Sequence, residues 1–281
     1  MNQTQIRIRV LVDNHAGPGL HAEHGLAFWI EAGGMRILFD TGAGTALIPN
    51  AGVMGVPLKD AGMVVISHGH YDHTGGLRDV MKMAPLAPVY LHPAAVIPRF
   101  SIRPPGPPRS IGMPPEVRES LQGDKTARIR FVRGPVEIFP GGGITGFIPR
   151  ETDYEDPGGP FFLDSEGRKP DMIEDDQALW IESGRGLIVC LGCCHAGVEN
   201  TLRYVSRITG AKKIHALIGG FHLGGASRER LEKTVSAIEQ FEPEILAPCH
   251  CTGDAASARL SEGFPGRVLA CRAGEVFSFP G

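Results

Sequence analysis

Apolar residues recur along this chain in two rhythms, one of period two and one near 3.6, and their succession sets the expected architecture. Ile6 to Val12, Leu26 to Glu31 and Met35 to Asp40 are short β-branched or alternating runs between Gly-rich turns, the pattern of an opening antiparallel meander. Thr45 to Gly55 has room for a short helix, limited by Pro49 and Gly52. Met63 to Ile66 is wholly apolar, as in a strand buried on both faces, and Gly75 to Met83 follows with helical spacing. The second half repeats a strand-then-helix rhythm, with strands at Ala178 to Glu182 and Leu187 to Leu191, a helix over Val198 to Ile208 and a strand at Ile214 to Ile218. A helix from about Ser227 to Phe241, a strand at Ile245 to Ala247 and closing strands at Val268 to Ala270 and Val276 to Phe279 complete the order. Two sheets wrapped by outer helices satisfy it, an α/β fold of the four-layer αβ/βα sandwich kind, with no internal repeat.

Two stretches break the rhythm. Residues 98–123 hold seven prolines and little periodicity, and residues 149–170 are rich in Gly, Pro and acids. Both are expected to be irregular insertions in one domain spanning 1–281, each either a lid over the active-site face or plain mobile surface.

Composition narrows the function classes. A chain of 281 residues that is 42% hydrophobic and 21% charged buries a large core without disulfide staples. The formal charge of −3 disfavours nucleic acid or an anionic membrane as partner and leaves a small molecule, neutral or locally held as an anion. No apolar run approaches the ~18 residues of a bilayer span, and the start, MNQTQIRIRVLVDN, alternates like a strand rather than a signal peptide, so a cytoplasmic location is expected. Six cysteines are too few for a disulfide scaffold; Cys193 and Cys194 precede His195, and Cys249 and Cys251 flank His250, which makes metal linkage or small core residues the alternatives. Nothing in the pattern sets an oligomeric state.

The densest chemistry lies in Ser67-His68-Gly69-His70-Tyr71-Asp72-His73-Thr74-Gly75-Gly76, on the loop after the buried Met63 to Ile66 run. His68 and His70 are two apart, so in an extended segment they project to the same side and can grip one ion. Asp72 and His73 follow after a turn and can address a second ion beside it, leaving positions for a bridging water. This stretch resembles the signature loop of the metallo-β-lactamase superfamily. Asp40, in Leu38-Phe39-Asp40-Thr41-Gly42, resembles the acidic residue that closes an earlier strand there and orients a ligand from behind. The resemblance covers nearly the whole chain and implies a sandwich of the metallo-β-lactamase type.

The remaining ligands must come from later segments. His195, in Gly192-Cys193-Cys194-His195-Ala196-Gly197, and His250, in Cys249-His250-Cys251-Thr252-Gly253, each follow an expected strand and are candidates to complete the set. His222, in Gly219-Gly220-Phe221-His222-Leu223, is open between ligand, proton donor and a histidine that supports a ligand. The superfamily's commonest pattern has a Gly-Asp pair before the final His; here Gly192-Cys193 stands where it is expected, and Cys193 is either a thiolate ligand or a small buried thiol.

A narrower resemblance, carried by Leu11-Val12-Asp13-Asn14, Glu23-His24-Gly25, Ile148-Pro149-Arg150, Gly192 to His195, Gly219 to Leu223 and His250 to Gly253, is to the branch of β-lactamase-superfamily metal-dependent hydrolases and dihydropterin-methyl ribofuranosylaminobenzene phosphate synthases. Three functions stay open. The first is a hydrolase with two divalent ions, zinc by default with iron or manganese accepted by the same donors, acting through a metal-bridging water on a small phosphoester, ester or lactone, with Asp72 or a free histidine handling the proton and His222 protonating the leaving group. The second is a transferase joining a dihydropterin-methyl diphosphate to a ribofuranosylaminobenzene phosphate. The third is a metal- or redox-binding protein without turnover, suggested by the cysteines beside His195 and His250. A phosphate could also meet the helix start at Gly224-Gly225-Ala226-Ser227 with Arg228 and Arg230, or Arg150, though a Ser cap and pairing of Arg150 with Glu151, Asp153 or Glu155 are the plainer expectations.

Overall fold

The structure, a computed structural model, describes residues 5–281; the first four residues of the alternating start MNQTQIRIRVLVDN lie outside the described residues. Seven strands form one sheet in the order Val276–Phe279, Ile6–Val12, Ala27–Ala32, Met35–Phe39, Met63–Val65, Val89–Leu91 and Ile129–Phe131. Six form another in the order Ile245–Cys249, Ile214–Gly220, Gly186–Leu191, Leu179–Ser183, Gly142–Ile144 and Val136–Phe139. The opening strands are antiparallel, as the alternating runs predict, whereas Met35–Phe39 through Ile129–Phe131 pair in parallel.

Alternation along each strand divides the apolar residues between two layers. Ile8, Val10, Phe28, Ile30, Ile37 and Phe39 face Leu179, Ile181, Ile188 and Ile218 across the space between the sheets. On the outer face of the first sheet, Leu11, Trp29, Leu38 and Val64 pack with Leu47, Leu77 and Val80 of the helices Leu47–Val53 and Leu77–Met83. On the outer face of the second, Val189, Leu217 and Leu246 pack with Leu202, Val205, Val235 and Ile238 of the helices Val198–Thr209 and Arg228–Gln240. A register shift between Val10 and Val12 turns both Leu11 and Val12 to the helix side, where strict alternation would divide them.

The sequence expectation departs from the structure at identifiable places. Residues 98–123 are not irregular throughout: they hold short strands at Phe100–Ser101 and Arg109–Ser110 and a helix at Pro115–Gln122. Pro115 opens that helix, where its fixed φ helps and its missing N–H costs nothing, and Val117 and Leu121 supply the buried face. The second insertion contributes Phe161–Phe162, which pairs with Phe100–Ser101, so the two insertions meet as one three-stranded sheet. A helix at Asp254–Gly263 is additional. Val268 makes only an isolated bridge to Leu246 instead of opening a strand.

The carboxyl ends of Met35–Phe39, Met63–Val65, Gly186–Leu191, Ile214–Gly220 and Ile245–Cys249 run directly into Asp40, His68, Cys193, His222 and His250. Phe39 is fully buried between the sheets and stacks on Phe28 with ring centroids 6.2 Å apart. Phe39→Ala is therefore expected to cost about 3–5 kcal/mol in denaturant unfolding; a loss below about 1 kcal/mol would contradict a core centred between the two sheets.

Candidate metal centre

The loop after Met63–Val65 is held extended and close to its neighbours by backbone contacts. A Cβ on Gly69 would lie 2.0 Å from the Ala95 carbonyl oxygen, so only glycine passes here between His68 and His70. Asp40 braces the loop from behind, accepting hydrogen bonds from the Ser67 N–H at 2.7 Å and the Ser67 hydroxyl at 2.6 Å. His68 Nε2 and His70 Nδ1 approach to 2.9 Å.

Partners at the outer nitrogen aim three imidazoles inward. His73 Nδ1 donates to Asp40 at 2.7 Å, His195 Nδ1 to the Pro157 carbonyl at 2.8 Å and His250 Nδ1 to Asn14 Oδ1 at 2.9 Å, which turns each Nε2 toward the cluster. Buried Nε2 atoms of His70, His195 and His250 have no hydrogen-bond partner. Asp72 Oδ2 lies 3.2 Å from His24 Nε2, 3.4 Å from His250 Nε2 and 3.8 Å from His73 Nε2. Glu23, next to His24, accepts from the backbone N–H groups of Ala43, Gly44, Thr45 and Ala46, which ties the His24 segment to the loop after Asp40.

Donor atoms within 4.8 Å of one another form five groups that could hold a metal ion among the described residues. His68, His70 and His195 make one; His24, Asp72 and His250 make another. Cys193 lies between them, grouped with His68 and His73, with His195 and His222, and with His250 and Cys251. Orphaned imidazole nitrogens, an ionised carboxylate and a thiol in one buried cluster are a donor set that suits divalent transition-metal ions.

The electrostatics divide the donors. Burial holds His70 down at about 3 and pushes His68 and His195 well below the ordinary imidazole range, so their nitrogens are free to donate lone pairs. Burial opposes the charge on Asp72, but His73, His24 and His250 outweigh it and keep the carboxyl ionised. His73 runs the other way: burial disfavours its cation, and Asp40 and Asp72 more than compensate, raising it to about 9. Burial drives the Cys193 thiol well above its usual value.

Thus all six residues expected to bind metal, His68, His70, Asp72, His73, His195 and His250, converge with His222 around one cavity or its floor, about 550 Å³ in volume. The sequence reading gave no role to His24 or Asn14, which sit in segments that carry the family resemblance; Cys251, left open between metal linkage and a small core residue, joins a donor group with Cys193 and His250. Of the two plainer expectations, the Ser cap is present and the pairing of Arg150 with an acid is corrected. Ser227 caps its helix by accepting from the Arg230 N–H at 3.1 Å while Arg230 pairs with Asp156 at 2.7 Å. Arg150 donates to the Met172 carbonyl at 2.6 Å instead of pairing with an acid, because Glu151 pairs with Arg207 and Glu155 accepts the N–H groups of Glu199 and Asn200 at the helix start.

The metallo-β-lactamase superfamily model matches residues 22–198, more than half of the chain. The chain belongs to the metallo-β-lactamase superfamily. Among its superfamily relatives is the 7,8-dihydropterin-6-methyl-4-(beta-D-ribofuranosyl)-aminobenzene-5'-phosphate synthase of Methanocaldococcus jannaschii, 30% identical over 98% of this chain and 97% of that one. An uncharacterised protein of the same organism is 31% identical over 91% of this chain and 94% of its own. A crystal structure of a metal-dependent hydrolase of the β-lactamase superfamily is 31% identical, superposes with a TM-score of 0.84 and is covered completely, against 98% of this chain. The metallo-β-lactamase fold protein YhfI of Bacillus subtilis, at 14% identity and a TM-score of 0.57, shares the fold.

Beneath the superfamily's signature loop lies a buried ion cluster that the sequence reading missed. Arg99, 1% exposed, bonds both oxygens of Asp175, the nearer at a very short contact, and approaches Asp171 at 2.7 Å. Asp175 Oδ2 accepts the Gly69 N–H at 2.6 Å, so the cluster links the base of the Phe100–Ser101 strand to the backbone between His68 and His70. Removing one partner of such a cluster strands the others in a dry interior. Arg99→Met is expected to cost about 3–5 kcal/mol at neutral pH, read by denaturant unfolding. Burial works against the Asp175 charge, and Arg99 more than restores it, leaving the carboxyl below its ordinary value. The sign follows: that stabilisation is complete above the unfolded-state value near 4 and fades as pH falls toward the folded value. The gap between wild type and variant should narrow below about pH 4, and a gap that stays constant into acid would contradict the ionic account.

Proposed function

We propose that the protein is a dinuclear metal-dependent hydrolase that acts through a metal-bridging water on a small phosphoester, ester or lactone-type substrate. The observation that carries this reading is the convergence of His68, His70 and His195 on one side of Cys193 and of His24, Asp72 and His250 on the other, with His73 Nε2 3.8 Å from Asp72 and the Nε2 atoms of His70, His195 and His250 orphaned. Two divalent ions, zinc by default, would supply there a water acidified toward neutrality and an electrophile for the scissile group.

The chain's own residues divide the remaining work. Asp40, Asn14 and the Pro157 carbonyl hold His73, His250 and His195 in the tautomer that offers Nε2. Asp72, kept ionised by its three histidine neighbours, orients the nucleophile by accepting its hydrogen bond. His222 is the proton donor to the leaving group: its ring lies 4.2 Å from that of His195, and although burial opposes its charge, Cys251 and the Gly158 carbonyl favour it and raise its pKa.

A second reading, transfer of a dihydropterin-methyl group from its diphosphate to a ribofuranosylaminobenzene phosphate, is favoured by the end-to-end likeness to the Methanocaldococcus jannaschii synthase. Chelation followed by elemental analysis and zinc, iron or manganese add-back, over phosphoester, ester, lactone and thioester substrates, tests the first; product formed from the pterin diphosphate and acceptor, with little hydrolysis, would select the second. For the hydrolase, chelation abolishes turnover, and His70→Ala loses more than the roughly 10- to 100-fold that removing a ligand's supporting partner costs. His222→Gln should slow substrates with poor leaving groups by roughly 10²-fold or more and spare those with good ones; equal slowing of both would remove His222 as the donor. Metal-loaded protein that turns over neither class would point to binding without catalysis.

A further inference from the structure

The roof of the metal cavity carries charge that the ligand set does not use. Phe100–Ser101 and Arg109–Ser110 form a hairpin, and Phe161–Phe162 pairs along its other edge. That arrangement brings Arg103, Arg109 and Phe161 to the lining of the same cavity as His70, Asp72 and His195. Phe161 packs against the histidines, its ring centroid 5.4 Å from that of His70 and 5.6 Å from that of His195. Asp72, committed to its histidines, is the one carboxylate of this lining. On a chain of net charge −3, a cavity mouth with two arginines is a local feature, not a consequence of overall basicity.

The two guanidiniums are also available. Their neighbour Arg99 is consumed by Asp171 and Asp175, whereas Arg103 and Arg109 form no ion pair among the described residues. Arg109 is held in place by neutral contacts, donating to the Tyr71 hydroxyl at 2.8 Å with its guanidinium carbon 5.4 Å from the Tyr71 ring centre. Tyr71 lies in the signature loop between His70 and Asp72, so Arg109 is aimed from the loop that carries the metal donors. A forked, always charged donor with no carboxylate to neutralise it is suited to bind phosphate oxygens in pairs.

We propose that Arg103 and Arg109 determine specificity by holding a second anionic group of the substrate, a phosphate remote from the bond being broken. The proposal rests on the cavity being the substrate site, as given under Proposed function. It selects phosphate-bearing substrates over neutral esters and lactones, and it assigns the proline-rich insertion a role in recognition.

The test uses metal-loaded protein and calorimetric titration of phenyl phosphate, with benzyl alcohol as the neutral comparison, in wild type, Arg103→Gln, Arg109→Gln and the double variant. Both arginines are exposed, and metal content and melting temperature verify that the variants are otherwise intact. Each single variant is expected to weaken phenyl phosphate about tenfold and the double variant more, with the wild-type affinity falling as salt rises and benzyl alcohol unaffected. Tyr71→Phe, which keeps the charge and removes the hydroxyl anchor, should weaken it by less than Arg109→Gln. On any substrate found with a remote phosphate, the double variant should raise KM about tenfold and leave kcat within about twofold, the signature of lost uniform binding. Phenyl phosphate affinity within about twofold of wild type in the double variant would overturn the proposal, since the phosphate would then be held at the metal centre alone. Because calorimetry needs no turnover, a clamp detected in protein that hydrolyses nothing would sink the hydrolase reading and leave the clamp standing.

Discussion

Burying several imidazoles side by side is the constraint on which the rest of the structure depends. Each ring brought out of water loses hydration at two nitrogens, and a charged neighbour worsens the cost of the next. The chain resolves the outer nitrogens with fixed acceptors, Asp40 for His73, Asn14 for His250 and the Pro157 carbonyl for His195. Those acceptors come from three separate parts of the chain: a strand end of the first sheet, the segment after the opening strand and the second insertion. The inner nitrogens are left to converge on donor groups that could hold metal ions.

Backbone strain follows the same centre. Asp40, Cys194, His222 and His250 all adopt positive φ, between 49° and 60°, and all follow strands whose carboxyl ends form the site. A non-glycine residue pays for that conformation, and it persists where packing over-determines it. Here the reversal turns the chain sharply at the end of a buried strand, where Asp40, His222 and His250 themselves, and His195 after Cys194, lie at the cluster. The Arg99, Asp171 and Asp175 cluster serves the same purpose from the other side, gripping the Gly69 amide where glycine is obligatory.

Legibility in the sequence tracked how local each determinant is. His68 to His73 could be read because four donors fall within one loop, and His195 and His250 because strand ends collect chemistry in α/β folds. The two sheets and their outer helices were legible where runs were long and periodic. Gly142–Ile144 was not, since glycine carries no pattern, and neither was the helix Asp254–Gly263, whose buried side is just Ala256 and Leu260. Prolines obscured Pro115–Gln122, although one of them marks its start. Arg99 with Asp175, and Asn14 with His250, are separated by 76 and 236 positions and leave no local trace.

Cys193 shows what a single exchange does to such a centre. An aspartate between the two donor groups would be anionic at neutral pH unless burial suppressed it, adding a second carboxylate beside Asp72. A thiol does not bring that charge: burial and the neighbouring Cys251 push the Cys193 thiol well above its ordinary value. Contact with a divalent cation would remove the proton and make the thiolate available as a ligand. The charge between the two donor groups would then come with loading rather than in advance. Proton release on loading would make affinity rise with pH and would favour the softer divalent ions over magnesium or calcium.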